Sequence, residues 1–197
     1  MGDDARTTYL LVDGENIDAT LGGSILGRRP RPEERPRWER LLNFTRDRWG
    51  QDVVGLFFLA ASTELPMAFV QALMAIGYRP VPLSGGAGEK VVDIAIQRTL
   101  REIAHRDADV MLVSNDGDFV DEVSDVLDGR SVGLVGFTEF RNQAFMGLVD
   151  AGLQLFDLEY DVRAFTAPLS RVRIIPIDEF DPRPFLEPPG PSSAPRG

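Results

Sequence analysis

The 197-residue chain contains no cysteine, and that absence removes disulfide bridging, thiolate metal ligation and cysteine nucleophilic catalysis together. Histidine is nearly as scarce, with His105 alone. A zinc site draws on several His or Cys ligands, so zinc is not expected. A serine nucleophile would need His105 as its base, and no G-x-S-x-G elbow accompanies it. His105 reads instead as a polar residue near a helix end. Long apolar runs are also missing: none approaches the roughly 20 residues that cross a bilayer. The N-terminal segment, Met1 to Thr8, is polar and acidic, without the basic and apolar regions of a secretory signal. The expectation is a soluble, cytoplasmic protein with no membrane association. Any metal would be held through oxygen, which points to Mg²⁺ or Mn²⁺.

Lysine occurs once, at Lys90, so nearly every cation is an arginine. Net charge is −10, an unfavourable total for phosphate contact, which wants Lys and Arg. The charge is segregated, however. Residues 28–48 hold eight arginines and four acids, a local +4, whereas residues 107–128 hold eight acids and no Lys or Arg. If the chain binds nucleic acid, the basic segment is expected to carry the affinity, with Arg28, Arg29 and Arg31 foremost. The bland alternative is that these arginines pair with Glu33, Glu34, Asp47 or the acidic stretch.

What is present is an ordinary globular composition, 43% hydrophobic and 26% charged. Apolar runs alternate with helical segments. Strands are expected at Tyr9–Val12, Val53–Ala60, Val110–Ser114, Ser131–Phe137 and Leu153–Asp157, and Arg79–Leu83 reads as a short extended piece pinned by Pro80 and Pro82. Helices are expected at Trp38–Trp49, Pro66–Ile76, Lys90–Ala104, Asp118–Leu127 and Phe140–Val149, the clearest being the Val92, Ile96, Leu100, Ile103 stripe. This alternation argues for an α/β fold with a central, mostly parallel sheet flanked by helices. The domain is expected to span residues 7–158. A C-terminal extension, 159–187, has an apolar stretch (172–185) able to dock on it. Residues 188–197, rich in Pro, Ser and Gly, read as a disordered tail.

In a parallel sheet, ligands bind at the carboxyl ends of the strands. Asp13-Gly14-Glu15-Asn16 follows the first strand, and Asn115-Asp116-Gly117-Asp118-Phe119 follows Val110–Ser114. Taken singly, each could be a turn or a helix cap. Asp93 opens a helix amid Val91, Val92, Ile94 and Ala95, where a carboxylate is costly unless paired or bound to a cation. Its bland reading is a first-turn acid favoured by the helix dipole. Together, carboxylates converging on one edge repel: two charges 4 Å apart at an effective dielectric of 20 cost about 4 kcal/mol. A hard divalent cation relieves that repulsion and can activate water against a phosphoryl group. The loop Gly85-Gly86-Ala87-Gly88 matches neither the P-loop nor the dinucleotide fingerprint.

The segments LLVDGENID (10–18), EKVVDIAI (89–96) and VSNDGDF (113–119) resemble, in order, the three signature motifs of the NYN domain, in particular its bacterial LabA-like group. The resemblance implies a PIN-like three-layer sandwich, shared with 5′ nucleases of the FEN type, and metal-dependent phosphodiester hydrolysis, usually of RNA. It implies catalytic roles for Asp13, Asn16, Asp93, Asp116 and Asp118, with the four aspartates holding Mg²⁺ or Mn²⁺ and Asn16 orienting Asp13 or a water. Lys90 and Ser114 match motif positions and join the three arginines as candidate nucleic-acid contacts. The segment from about Gly22 to Pro36 is longer than the family pattern. The expected partner is nucleic acid, foremost RNA, and PIN-like domains are often homodimers. Two rivals stand: a catalytically weak or inactive NYN module that binds RNA or a protein in regulation, and a HAD-type phosphatase. The phosphatase would need D-x-D after the first strand, where Glu15 stands.

Overall fold

The computed structural model describes residues 6–61 and 66–171, and beyond them residues 175, 177 and 180–186. The expected tail at 188–197 and much of the 172–185 stretch lie outside the described residues. Six strands, β1 (Thr7–Asp13), β2 (Asp52–Ala60), β3 (Tyr78–Leu83), β4 (Ala108–Val113), β5 (Val132–Gly136) and β6 (Gln154–Asp157), form one sheet. Their order is β3-β2-β1-β4-β5-β6, and every neighbouring pair is parallel. The helices are α1 (Gly14–Ala19), α2 (Trp38–Trp49), α3 (Met67–Ala75), α4 (Val91–Ile103), α5 (Val120–Val126) and the short α6 (Arg183–Leu186). Among the described residues no helix is long and apolar enough to cross a membrane.

Side-chain parity along β1 divides the core in two. Leu10 and Val12 pack with Ile17, Leu41 and Leu73 of α1, α2 and α3. Leu11 packs with Val92, Ile96 and Leu100 of α4 and Val123 of α5. Helices therefore cover both faces, giving a three-layer α/β sandwich in which β4 and β5 are buried along their whole length. Such strands read as continuous apolar runs because neither face meets water. The chain winds outward from β1 through β2 to β3, then restarts at β4 on the other side of β1. The resulting switch point leaves a crevice between the carboxyl ends of β1 and β4.

Two segments depart from the sequence expectation. Gly14–Ala19 continues into a π-helical turn, Thr20–Leu26, which ends at Gly27 with φ 64°. A side chain there would be strained. Periodicity did not assign this element because Gly22 and Gly23 interrupt a short apolar repeat. The expected helix Phe140–Val149 is replaced by two 3₁₀ turns, Thr138–Phe140 and Gln143–Leu148. Tertiary anchors break it: the Asn142 N–H donates to the Asn115 carbonyl (3.1 Å), and Arg141 donates to the Phe156 carbonyl (2.6 Å).

Past β6 the chain turns back over the α2 face, burying Val162, Ala164 and Phe165. Arg40 donates to the carbonyls of Arg163 and Phe165, both at 2.8 Å. Arg171 lies between Glu139 (3.0 Å) and Glu159 (2.7 Å).

Candidate active site

Asp13 is the last residue of β1, and parity with Leu11 places it on the α4 face. It is 2% exposed. One carboxylate oxygen accepts from the Asn16 N–H (3.1 Å), capping α1, and the other accepts from the Ser114 hydroxyl (3.0 Å). Burial pushes its pKa up to about 6; the two hydrogen bonds pull it down, and the carboxylates of Asp93 and Asp116 add to the rise.

At the end of β4, Ser114 and Asn115 are buried. Ser114 Oγ also accepts from the Asp116 N–H (3.2 Å), so one hydroxyl fixes the spacing of two acids. Ser114, expected from its motif position to contact nucleic acid, is fully buried here and braces Asp13. Asn115 is the hub that sequence reasoning missed. Its N–H and Nδ2 donate to Asn16 Oδ1 (2.8 and 3.3 Å), its Nδ2 also to Thr20 Oγ1 (3.3 Å), and its Oδ1 accepts from the Phe137 N–H (2.8 Å). A backbone N–H can only donate, so the Asn16 atom facing Asn115 must be its oxygen. The Asn16 amide nitrogen is left without a protein partner among the described residues.

Asp116 caps a 3₁₀ turn, Gly117–Phe119, by accepting from the Asp118 N–H (3.1 Å). Gln97 on α4 donates to the Asp118 carbonyl (2.9 Å), tying this turn to the helix that carries Asp93. As a result, one carboxylate oxygen each of Asp93, Asp116 and Asp118 lies within 4.8 Å of the others. Lys90, at the N-cap of α4, puts its ammonium 2.8 Å from Asp118 and 3.4 Å from Asp93. Hydrogen bonds to these two carboxylates raise the lysine pKa further above its ordinary range.

Asp13, Asn16, Asp93 and Asp116, with Glu15 and Lys90, line a cavity of about 420 Å³. The four aspartates are not equivalent. Asp93, Asp116 and Asp118 form the close cluster, with Asp118 half exposed and outside this lining, whereas Asp13 is buried in the cavity wall. Glu15, also missed in the sequence, accepts from the Ala60 N–H (3.1 Å) and ties α1 to the end of β2.

Next to this cavity, Arg28 and Arg29 line a cleft of about 550 Å³ that shares Glu15 and Ala19 with it. Arg28 forms a two-pronged pair with Glu34 (2.6 and 2.8 Å). That pair, with the Arg31 N–H, holds the Glu34 pKa down to about 2. For Arg28 the internal-pairing alternative therefore describes the structure. The Arg29 side chain has no hydrogen bond or ion pair among the described residues.

The donor set suits a hard divalent cation. It is all oxygen, several carboxylates share a small volume, and a protein ammonium already stands between two of them.

The NYN domain family matches residues 7–156. A crystal structure of a protein of unknown function from Vibrio parahaemolyticus RIMD 2210633 is similar, with a TM-score of 0.62 and 20% identity, over 82% of this chain and 98% of that one. At that identity the likeness concerns the fold. A comparison with curated proteins finds no match.

Proposed function

The chain belongs to the NYN domain family, and from that premise we propose that it is a divalent-metal-dependent nuclease acting on RNA. The observation that carries this reading is the carboxylate trio of Asp93, Asp116 and Asp118, bridged in part by Lys90, at the β1/β4 switch point. Asp93, Asp116 and Asp118 would hold Mg²⁺ or Mn²⁺, with Asp13 completing the negative field behind them. The ion would supply an acidified water and offset charge on the phosphoryl oxygens. Asp13 is held rigid by Ser114 and Asn16, so its charge sits at a fixed point of the wall. The Asn16 amide nitrogen, without a protein partner among the described residues, is a donor suited to a phosphoryl oxygen. Lys90, once released from the acids, is long enough to reach a neighbouring phosphate as a point charge.

Purified protein incubated with generic single-stranded RNA and DNA is expected to cleave RNA with Mn²⁺ or Mg²⁺ and to stop in EDTA. Asp118→Asn is expected to lose most of that activity. An intact fold that binds RNA but never cleaves it would transfer the assignment to a non-catalytic NYN module.

The two neighbouring arginines are expected to differ. Arg29→Ala should weaken RNA binding and flatten its log–log salt dependence by about 0.7, the slope for one phosphate contact on a single strand. Arg28→Ala should change the slope less, because its guanidinium is already committed to Glu34. Equal slopes for parent and Arg29→Ala would remove that arginine from the phosphate path.

A further inference from the structure

Beyond the arginine cleft lies a second, larger cavity of about 780 Å³, lined by Trp38, Phe69, Arg29, Arg35, Arg37 and Pro30, among others. Both of its aromatic rings pack against Phe57 of the core. Trp38 meets Phe57 edge-on at 4.9 Å and Phe69 does so at 5.5 Å. Rings held in this way present preformed apolar surface, with little ordering left to be lost when a flat ligand stacks. Glu39 is the one carboxylate among the described lining residues, against three arginines. The side chains of Arg29 and Arg37 have no ion pair or hydrogen bond among the described residues. In a chain of net charge −10, guanidinium groups beside an aromatic cavity without a carboxylate partner suit an external anion.

The cavities form one path. The aromatic cavity shares Arg29 and Pro30 with the arginine cleft, which shares Glu15 and Ala19 with the acidic cavity. A ligand laid along it meets carboxylates, then guanidinium groups, then aromatic faces beside further guanidinium groups. That sequence of chemistries matches a polynucleotide strand with a planar base attached to each anionic link.

We infer that the Trp38–Phe69 cavity is a nucleobase subsite, which takes one unpaired base of the bound strand by stacking while Arg29 and Arg37 hold its flanking phosphates. The inference rests on the nuclease reading for the position of the scissile phosphate. It adds a substrate restriction: bases in a duplex are stacked on their neighbours and cannot enter, so strands with unpaired bases are selected.

The test uses the full chain in EDTA, titrated with a 12-nucleotide oligo(U). Stacking should quench the emission of Trp38, the quench should vanish in Trp38→Phe, and a duplex of equal length should quench little. Loss of a stacked base contact corresponds to about a 5- to 150-fold fall in affinity, so an oligonucleotide of abasic residues should bind weaker by an amount in that range. The double variant Arg29→Ala/Arg37→Ala changes two exposed side chains. It should flatten the salt dependence by about 1.4, for two phosphate contacts. A quench that persists in Trp38→Phe, or a double variant with the parent's affinity and slope, would overturn the subsite. So would Trp38 emission that shifts with protein concentration alone, which would mark the cavity as an interface between copies. Cleavage without the quench would leave the nuclease standing and the subsite fallen; a Trp38 quench without cleavage under Mn²⁺ would do the reverse.

Discussion

Asp13→Asn is expected to abolish metal-dependent cleavage, by about 10³-fold or more, while making the metal-free protein more stable at neutral pH. The two effects share one cause. Asp13 is buried and its pKa stands at about 6 rather than 3.8, a difference equivalent to roughly 3 kcal/mol. The folded state therefore binds this proton more tightly than the unfolded state. As pH rises from about 4 to 6 the unfolded chain loses the proton first, so stability falls across that window and the penalty is complete above it. Asn carries no charge and avoids the penalty. It keeps an acceptor for the Asn16 N–H, but it presents an N–H₂ to Ser114 and forces that hydroxyl to turn, which costs about 1 kcal/mol. The net gain is about 1–2 kcal/mol at pH 7, close to zero at pH 4. Thermal melts of both proteins in EDTA across pH 4–8 measure it. Added Mn²⁺ should raise the melting temperature of the parent more than that of the variant. A parent and variant whose melting temperatures differ equally at pH 4 and pH 7 would show that the Asp13 charge is not under strain.

The sheet and the acids were legible in the sequence for different reasons. Val110–Ser114 and Ser131–Phe137 are apolar throughout because β4 and β5 are covered on both faces, and helix α4 announces itself through Val92, Ile96, Leu100 and Ile103. Asp13, Asp93 and Asp116 could be brought together on paper because, in a parallel sheet with helical crossovers, strand C-termini and the N-termini of the helices that follow share one edge. What could not be read was how the acids differ. Depth is a tertiary property: Asp13 and Asp118 both follow strands, but one is sealed under α4 and the other stands half exposed on a 3₁₀ turn. The arginine segment was legible as charge and illegible as contacts. Whether Arg28 faces a phosphate or Glu34 depends on a 3₁₀ turn at Pro32–Glu34 that folds the glutamate back onto it. Residue type favoured neither outcome. Asn115 escaped notice for a similar reason: beside Asp116 it resembles turn composition, and its partners at positions 16, 20 and 137 are remote in sequence.

Asn115→Ala is expected to be the most damaging single substitution near the site that leaves every acid in place. Asn115 is 5% exposed and joins the ends of β4 and β5 to helix α1 through its side chain. Alanine would strand the buried Phe137 N–H and remove one of two donors to Asn16 Oδ1, with the backbone N–H of residue 115 remaining as the other. A buried donor left without its acceptor costs about 1–3 kcal/mol, and the vacated volume adds to that. A total near 3 kcal/mol corresponds to a fall of roughly 6–12 °C in melting temperature for a domain of this size. Activity should fall by about 10-fold or more beyond what unfolding explains, because Asn16 then hangs on one hydrogen bond and the N-cap of α1 at Asp13 loosens with it. An independent substitution should reproduce the defect from the other side. A Cβ on Gly136 would stand 2.5 Å from Asn115 Oδ1, so Gly136→Ala must push the same amide out of place. Urea melts and initial cleavage rates of the two variants, each measured well below its midpoint, check both claims. If Gly136→Ala is as stable and active as the parent while Asn115→Ala is not, the amide network is not what couples β5 to the acidic cavity, and the damage in Asn115→Ala is the cavity alone.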